Sequence, residues 1–442
     1  MINGGYMHKK IMIQGTGSSV GKSIITAGLC RIFVQDGYRV SPFKSQNMAL
    51  NSYVDIEGLE MGRAQVVQAE AAKERARAFM NPILLKPNSD NNSQIIIEGK
   101  PIQNSEAKEY FSNSKYWKEV ALRNYKKIEK EFDIGVLEGG GSPAEINLRE
   151  YDCVNMGMAE LVDAPVILVG NIEIGGVFAS LYGTIALLEE RDRKRIKGII
   201  INKFRGDLEI LKPGIDMLMD RLKRERIDIK FLGVVPHMEI EIEEEDTLAK
   251  KINKFNSNKG EIKISVIRTD KMSNYTDFDV LSHYSDVALN YIFSKDELGE
   301  EDIIILPGSK NTISDLEKLK GNGIYDKIKE LYNKGTCIVG ICGGFQMLGR
   351  EIRDPFNIEG DKISTKGFEI LDMITTMEKM KCTQQSENRL LGDLNGTILA
   401  GCENIVVKGY EIHQGVTNGN EKNFIESENL LFVAKENIFT TS

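Results

Sequence analysis

Gly340-Ile341-Cys342-Gly343-Gly344 follows an apolar run, Thr336 to Val339, and precedes a helix-like segment, Phe345 to Gly349. It leaves the chain little freedom, because it needs a strand, a sharp turn and a helix in immediate succession. That succession is a nucleophile elbow, here with cysteine in the nucleophile position. The turn is strained, and flanking glycines relieve the crowding. The following helix aims its N-terminus at the sulfur, which favours thiolate. A buried, inert cysteine would need none of this context.

A second chemical signature lies far upstream. Gly15-Thr16-Gly17-Ser18-Ser19-Val20-Gly21-Lys22-Ser23 sits between an apolar strand, Lys10 to Gln14, and a helix expected from Ser23 to about Gln35. Backbone N–H groups of such a loop cradle phosphates at a helix N-terminus. Lys22 would neutralise the β- and γ-phosphates, and Ser23 would hold Mg²⁺. The spacing departs from strict G-x-x-x-x-G-K-S, because the residue five before Gly21 is Thr16 and the leading glycine comes one earlier. Glu138 ends an apolar strand and opens Gly139-Gly140-Gly141, where an acid faces the phosphates and can bind Mg²⁺. Asp55 and Glu60 are weaker metal candidates. Lys44, after the second strand, could contact either a transferred phosphate or a substrate carboxylate. A nucleotide site and a thiol nucleophile in one chain imply ATP-driven chemistry fed by a covalent thioester step.

Strands are expected at Tyr38–Phe43, Asp133–Glu138, Ala164–Val169, Gly198–Asn202 and Phe231–Val235, with a helix over Glu60–Phe79. Alternation with helices implies an α/β fold with a doubly wound parallel sheet, ligands at the carboxyl ends of its strands. An acidic run, Glu241 to Asp246, and a polar stretch, Lys250 to Lys259, mark a boundary. We therefore expect one domain over 1–245 and a second over 260–442. The second has its own α/β series, Ile262–Ile267, Asp302–Leu306 and Cys337–Ile341. A chain of 442 residues accommodates two such cores.

The net charge of −8 gives no overall attraction to nucleic acid or an anionic membrane. No apolar run approaches the ~20 residues of a membrane helix. The six cysteines form no CxxC pair or metal-like Cys/His cluster along the sequence, which fits a reducing compartment. The expectation is a cytoplasmic protein.

Several longer strings resemble one known family. They are Pro42-Phe43-Lys44-Ser45-Gln46-Asn47-Met48-Ala49-Leu50-Asn51-Ser52, Gly62-Arg63-Ala64-Gln65, Met80 to Pro87, and Glu138 to Leu148. Downstream come Gly175 to Ser180, Asn202 to Asp207, Asn274 to Asp279, Leu306 to Thr312, and Gly409-Tyr410-Glu411-Ile412-His413. Together they resemble the cobyric acid synthases of cobalamin biosynthesis, almost from end to end. The resemblance implies a dethiobiotin-synthetase-like ATPase domain, whose longer phosphate loop matches the spacing here. It also implies a class I glutamine amidotransferase domain. The implied reaction is ATP·Mg²⁺-dependent amidation of the b, d, e and g carboxylates of adenosylcobyrinic acid a,c-diamide, with ammonia from glutamine. Cys342 would attack the glutamine amide, and backbone N–H groups near Gly308 and from Gly343 would form the oxyanion hole.

Two places depart from the family pattern. The family continues past a segment like Glu436 to Ser442 into a Gly-Thr-Tyr-Leu-His-Gly motif, whose histidine is the base for the cysteine. His413 occupies a different family position and does not inherit that role. The expectation is weak or absent glutaminase, with free ammonia still supporting the synthetase. The second departure is Gly170-Asn171-Ile172-Glu173-Ile174-Gly175-Gly176, where the family reads Asp-Ile-Asp-Arg-Gly-Gly. A truncated or degenerate homologue is one alternative, and cobyrinic acid a,c-diamide synthase, which shares the architecture, is another. The Ser45 to Ser52 string argues against the latter. A partition-type ATPase switch would carry a second lysine early in the phosphate loop, and Gly15 to Ser19 has none.

Overall fold

The computed structural model describes residues 8–87, 92–238, 240, 260–427 and 430–442, side chains of 103–108 excepted. The acidic run and the polar stretch expected to mark the domain boundary lie outside the described residues. The chain forms two compact units. The first comprises Met1–Ala49, Glu60–Leu85 and Asn91–Asp246; the second comprises Leu50–Leu59, Lys86–Asp90 and Thr247–Ser442.

The first unit is built on six strands: β1 (Lys9–Gly15), β2 (Val40–Phe43), β3 (Ile134–Glu138), β4 (Val166–Asn171), β5 (Ile196–Phe204) and β6 (Lys230–Pro236). Their order is β6-β5-β4-β1-β3-β2. Every neighbouring pair is parallel. The short apolar runs that read as buried strands are buried on both faces, as a helix-covered parallel sheet requires. Helix α1 (Lys22–Gln35) follows β1 directly and packs on the sheet through Ile25, beside Ile13, Val20 and Val169.

One local expectation fails. Glu60–Phe79 is not one helix. Glu60–Gly62 is a short strand, α2 covers only Arg63–Ala71, and Ala78–Met80 is a single 3₁₀ turn. The break comes at Lys73, whose φ of 55° no α-helix accepts. The Ala- and Glu-rich composition there favours a helix, but composition alone does not mark where it stops.

The second unit repeats the layered plan. Strands β7 (Ile262–Ile267), β8 (Val287–Ile292), β9 (Ile303–Leu306), β10 (Cys337–Ile341), β13 (Phe432–Lys435) and β14 (Ile438–Thr441) form a sheet in the order β8-β7-β9-β10-β14-β13. All pairs are parallel except β13 with β14. Between β10 and β13 the chain makes a long antiparallel hairpin, β11 (Met373–Arg389) and β12 (Val406–Gly419). The sequence reading did not anticipate it. Helices α3 (Thr312–Gly321) and α4 (Ile324–Asn333) pack Leu316, Leu319, Ile328 and Leu331 onto a core shared with Ile304 and Ile338. Helix α5 (Gly343–Leu348) leaves the elbow. Among the described residues, no helix is long and apolar enough to cross a membrane.

Candidate active sites

In the first unit the phosphate loop runs from the carboxyl end of β1 into α1. Two close approaches fix its path. A Cβ on Gly15 would stand 2.4 Å from Val20, and one on Gly21 would stand 2.1 Å from the Asn202 amide nitrogen. That nitrogen donates to the Val20 carbonyl at 2.8 Å, so β5 pins the loop. Gly21 also has φ +94°, a left-handed conformation that suits glycine. Lys22 folds back over the loop. Its ammonium donates to the Gly17 carbonyl at 2.9 Å and to the Gly141 carbonyl at 3.1 Å. It thus joins the phosphate loop to the glycine turn after β3.

Glu138 is the centre of this site. Its carboxylate is buried at the end of β3. The Ser23 hydroxyl donates to Oε1 at 2.9 Å, and the Lys44 ammonium approaches the same oxygen at 3.2 Å. Gln68, from α2, donates to Oε2 at 2.5 Å. Burial alone would raise the Glu138 pKa. Lys44, Gln68, Lys22 and Ser23 oppose it and hold the carboxyl below its ordinary value. A stable carboxylate beside a serine hydroxyl supplies two hard oxygens at a phosphate loop.

The sequence candidates are therefore only partly assembled. Ser23, Lys22, Lys44 and Glu138 come together. Asp55 belongs to the second unit, where its carboxylate accepts from the backbone amides of Glu57 at 2.9 Å and Leu59 at 3.0 Å. Its Oδ1 thus closes a turn. Gln68, Asn202 and Asn155 were missed as site residues. Asn155 donates to the Gly140 carbonyl at 2.5 Å and fixes the glycine turn. Asn202 stands in a string that carried the family resemblance; Gln68 had no signal beyond an alanine-rich stretch. At the second departure, the buried Asn171 side chain accepts from the Glu173 amide at 2.9 Å, closing a local turn.

In the second unit Cys342 has φ 48° and ψ −104°, between β10 and α5. Such backbone strain costs on the order of 1–3 kcal/mol and needs surrounding structure to hold it. The Cys342 amide donates to the Thr441 carbonyl of β14 at 2.8 Å, and the Gln346 amide donates to the Cys342 carbonyl at 3.0 Å. The glycines are required by contact. A Cβ on Gly344 would lie 2.0 Å from the Leu306 carbonyl oxygen, and one on Gly343 would lie 2.8 Å from the Ser309 amide nitrogen. Backbone cannot yield as a flexible side chain can. Gly344→Ala is expected to cost about 3 kcal/mol or more, read as a lowered denaturant midpoint for the second unit. An unchanged midpoint would show that the elbow is loosely held.

Gly308 approaches the nucleophile from β9's carboxyl end. A Cβ built on it would stand 3.9 Å from the Cys342 Cβ. The structure thus places Gly308, Gly343 and Cys342 together. Cys342 is half-buried, and its sulfur faces the Ile412 carbonyl at 3.8 Å. Burial raises the thiol pKa. His413, the Gly343 amide and Lys86 pull it down and Glu359 pushes it up; the net effect is upward. The sequence reading named Gly343 as an oxyanion donor and kept the base role off His413, but it missed Lys86 and Glu359 as neighbours of the sulfur. Glu359 accepts from the Thr312 hydroxyl at 3.2 Å and the Ile313 amide at 3.3 Å, and burial raises its own pKa. His413 donates its Nδ1–H to the Gly415 carbonyl, 2.9 Å away. Burial disfavours its imidazolium, yet Cys382, Glu411 and Cys342 together raise its pKa to about 10.

Residues 11–248 match the CobQ/CobB/MinD/ParA nucleotide binding domain. Residues 263–438 match the CobB/CobQ-like glutamine amidotransferase domain. The cobyric acid synthase of Clostridium botulinum (strain ATCC 19397 / Type A) is 53% identical over 413 residues, covering 93% of this chain and 80% of that protein. The cobyric acid synthase of Clostridium tetani (strain Massachusetts / E88) is 52% identical over 413 residues, with the same two coverages, 93% and 80%. That of Alkaliphilus metalliredigens (strain QYMF) is 52% identical over 406 residues, covering 92% of this chain and 80% of its own.

Proposed function

Because the chain belongs to the cobyric acid synthase family, we propose that it amidates side-chain carboxylates of a corrin, using ATP and ammonia released from glutamine. The substrate of this reading is adenosylcobyrinic acid a,c-diamide, and the positions amidated are b, d, e and g. The observation that carries it is the cluster of Lys22, Ser23, Lys44 and Glu138 around the phosphate loop.

A carboxylate resists ammonia because its carbonyl is deactivated. In this reading a corrin carboxylate oxygen attacks the γ-phosphorus of ATP, ADP departs, and an acyl phosphate forms. Ammonia then adds to the carbonyl and inorganic phosphate leaves with the electron pair. Loop amides and Lys22 bind the phosphates, and Lys44 offsets the charge that gathers on the transferring group. Ser23 and Glu138 would hold Mg²⁺, which when bound neutralises phosphate charge. Asp55 is a third proposed ligand; its Oδ1 also accepts from two backbone amides of a turn.

In the second unit the Cys342 sulfur attacks the glutamine amide carbon, expelling ammonia and leaving a glutamyl thioester that water hydrolyses. The Gly308 and Gly343 amides would stabilise the developing oxyanion. The raised thiol pKa has a direct consequence. At neutral pH the sulfur carries a proton, and attack requires its removal. Glutamate release should therefore climb about tenfold per pH unit above neutrality, following the thiolate fraction. A flat profile would mean that another group takes the proton.

Hydroxylamine trapping tests the synthetase half. Protein, ATP·Mg²⁺ and the a,c-diamide, without a nitrogen source, should yield corrin hydroxamates when hydroxylamine is added. Hydroxamate formation that does not need ATP, or none at all from folded protein, would contradict the acyl phosphate.

A further inference from the structure

The long hairpin brings a second cluster of titratable groups beside the elbow. Cys382 of β11 stands opposite His413 of β12 in the strand register, and Gln384 stands opposite Glu411. The alternation of side chains puts all four on one face. The Cys382 sulfur, a Glu411 oxygen and a His413 nitrogen lie within 4.8 Å of one another. Glu411 Oε2 is the shared corner, 3.5 Å from His413 Nε2 and 3.7 Å from Cys382 Sγ. Donors around a tetrahedral zinc ion, at Zn–N and Zn–O of about 2.0 Å and Zn–S of about 2.3 Å, stand roughly 3.3–3.5 Å apart. The two spacings agree with that to a few tenths of an ångström.

The surroundings fit ligands better than a plain ion pair. The His413 side chain is only 9% exposed. Its Nε2 approaches Glu411 Oε2 at 3.5 Å, an ion-pair distance longer than a well-formed hydrogen bond. Nδ1 is held by the Gly415 carbonyl at 2.9 Å, which aims Nε2 at Cys382 and Glu411. Gln384 holds the other Glu411 oxygen at 2.8 Å. Metal-binding imidazoles and carboxylates are characteristically fixed in this way by outer hydrogen bonds.

We propose that Cys382, Glu411 and His413 form a binding site for a divalent transition metal of the zinc class, separate from the phosphate-loop site. Thiolate, imidazole and carboxylate together favour zinc or a late first-row ion over magnesium. Three protein ligands leave a fourth position open. The ion binds a thiolate and a neutral imidazole, any proton it displaces goes to solvent, and no redox change is involved. The proposal stands independently of the corrin reading, because it concerns only these side chains and an ion.

Cobalt(II) is the probe. The full chain, treated with chelator and then titrated with Co²⁺ alone, should bind one equivalent and develop a thiolate-to-cobalt charge-transfer band that Zn²⁺ abolishes. Cys382→Ser should lose the band and Cys342→Ala should keep it. Gln384→Ala removes only an outer hydrogen bond, so it should fold and bind roughly 10–100-fold more weakly. Far-ultraviolet circular dichroism reports folding of each variant. No band from the folded chain, a band kept in folded Cys382→Ser, a band lost in Cys342→Ala, or unchanged affinity in Gln384→Ala would each overturn the proposal. If Cys382→Ser fails to fold, Cys342→Ala and Gln384→Ala decide it.

Discussion

Lys22→Ala is expected to abolish corrin amidation whichever nitrogen source is supplied. The Lys22 ammonium bridges the phosphate loop and the glycine turn, donating to Gly17 and Gly141 carbonyls, where the phosphates of ATP would lie. It also contributes to holding Glu138 ionised. Loss of a single preorganised charge or donor at a developing negative charge costs roughly 10²–10³ in rate. Phosphoryl transfer leans almost wholly on such groups, so the upper end applies here. The decisive readout is the parallel fall of the ammonium- and glutamine-supported rates, with glutamate release unaffected. A Lys22→Ala protein that still amidates with ammonium at more than about a tenth of the unaltered rate would remove the phosphate loop from the mechanism.

The second large effect is selective. Cys342→Ala should remove glutamine-supported amidation and glutamate release by more than about 10³-fold, since deleting a nucleophile leaves only binding and oxyanion stabilisation. Ammonium-supported amidation belongs to the other unit's chemistry and should persist. In the unaltered chain the ammonium-supported rate should exceed the glutamine-supported one. Burial holds the Cys342 thiol above its ordinary pKa, so the sulfur carries its proton at neutral pH. Equal rates from the two sources would show that the thiol is activated by a group this account does not name. Loss of both branches in Cys342→Ala would mean that the elbow is structural.

Much of this was legible in the residues. The phosphate loop and elbow are local, since each is a run of glycines and one reactive side chain between a strand and a helix. Local chemistry of that kind is carried by adjacent residues. The buried strands were readable because a two-sided parallel sheet demands apolar runs, as in Val166–Asn171, and the bounds of Ile262–Ile267 and Cys337–Ile341 were placed to the residue as well. Helix Arg63–Ala71 was overextended because its end depends on Lys73 adopting positive φ, which no residue type there announces. The partners of the site were the hardest to find. Gln68 reaches Glu138 across 70 positions of sequence, and Ile412 faces Cys342 across another 70. Such contacts depend on how elements pack, not on spacing. Asp55 shows that a residue type that suits a metal can also serve a turn, here through its Oδ1.

The most direct test of the central claim is product analysis by mass spectrometry. The protein would be given adenosylcobyrinic acid a,c-diamide and ATP·Mg²⁺, with ammonium in one reaction and glutamine in another. The account predicts ATP-dependent amidation at b, d, e and g with ammonium, and less with glutamine. Amides confined to other carboxylates, or no amidated corrin from folded protein in either reaction, would contradict it.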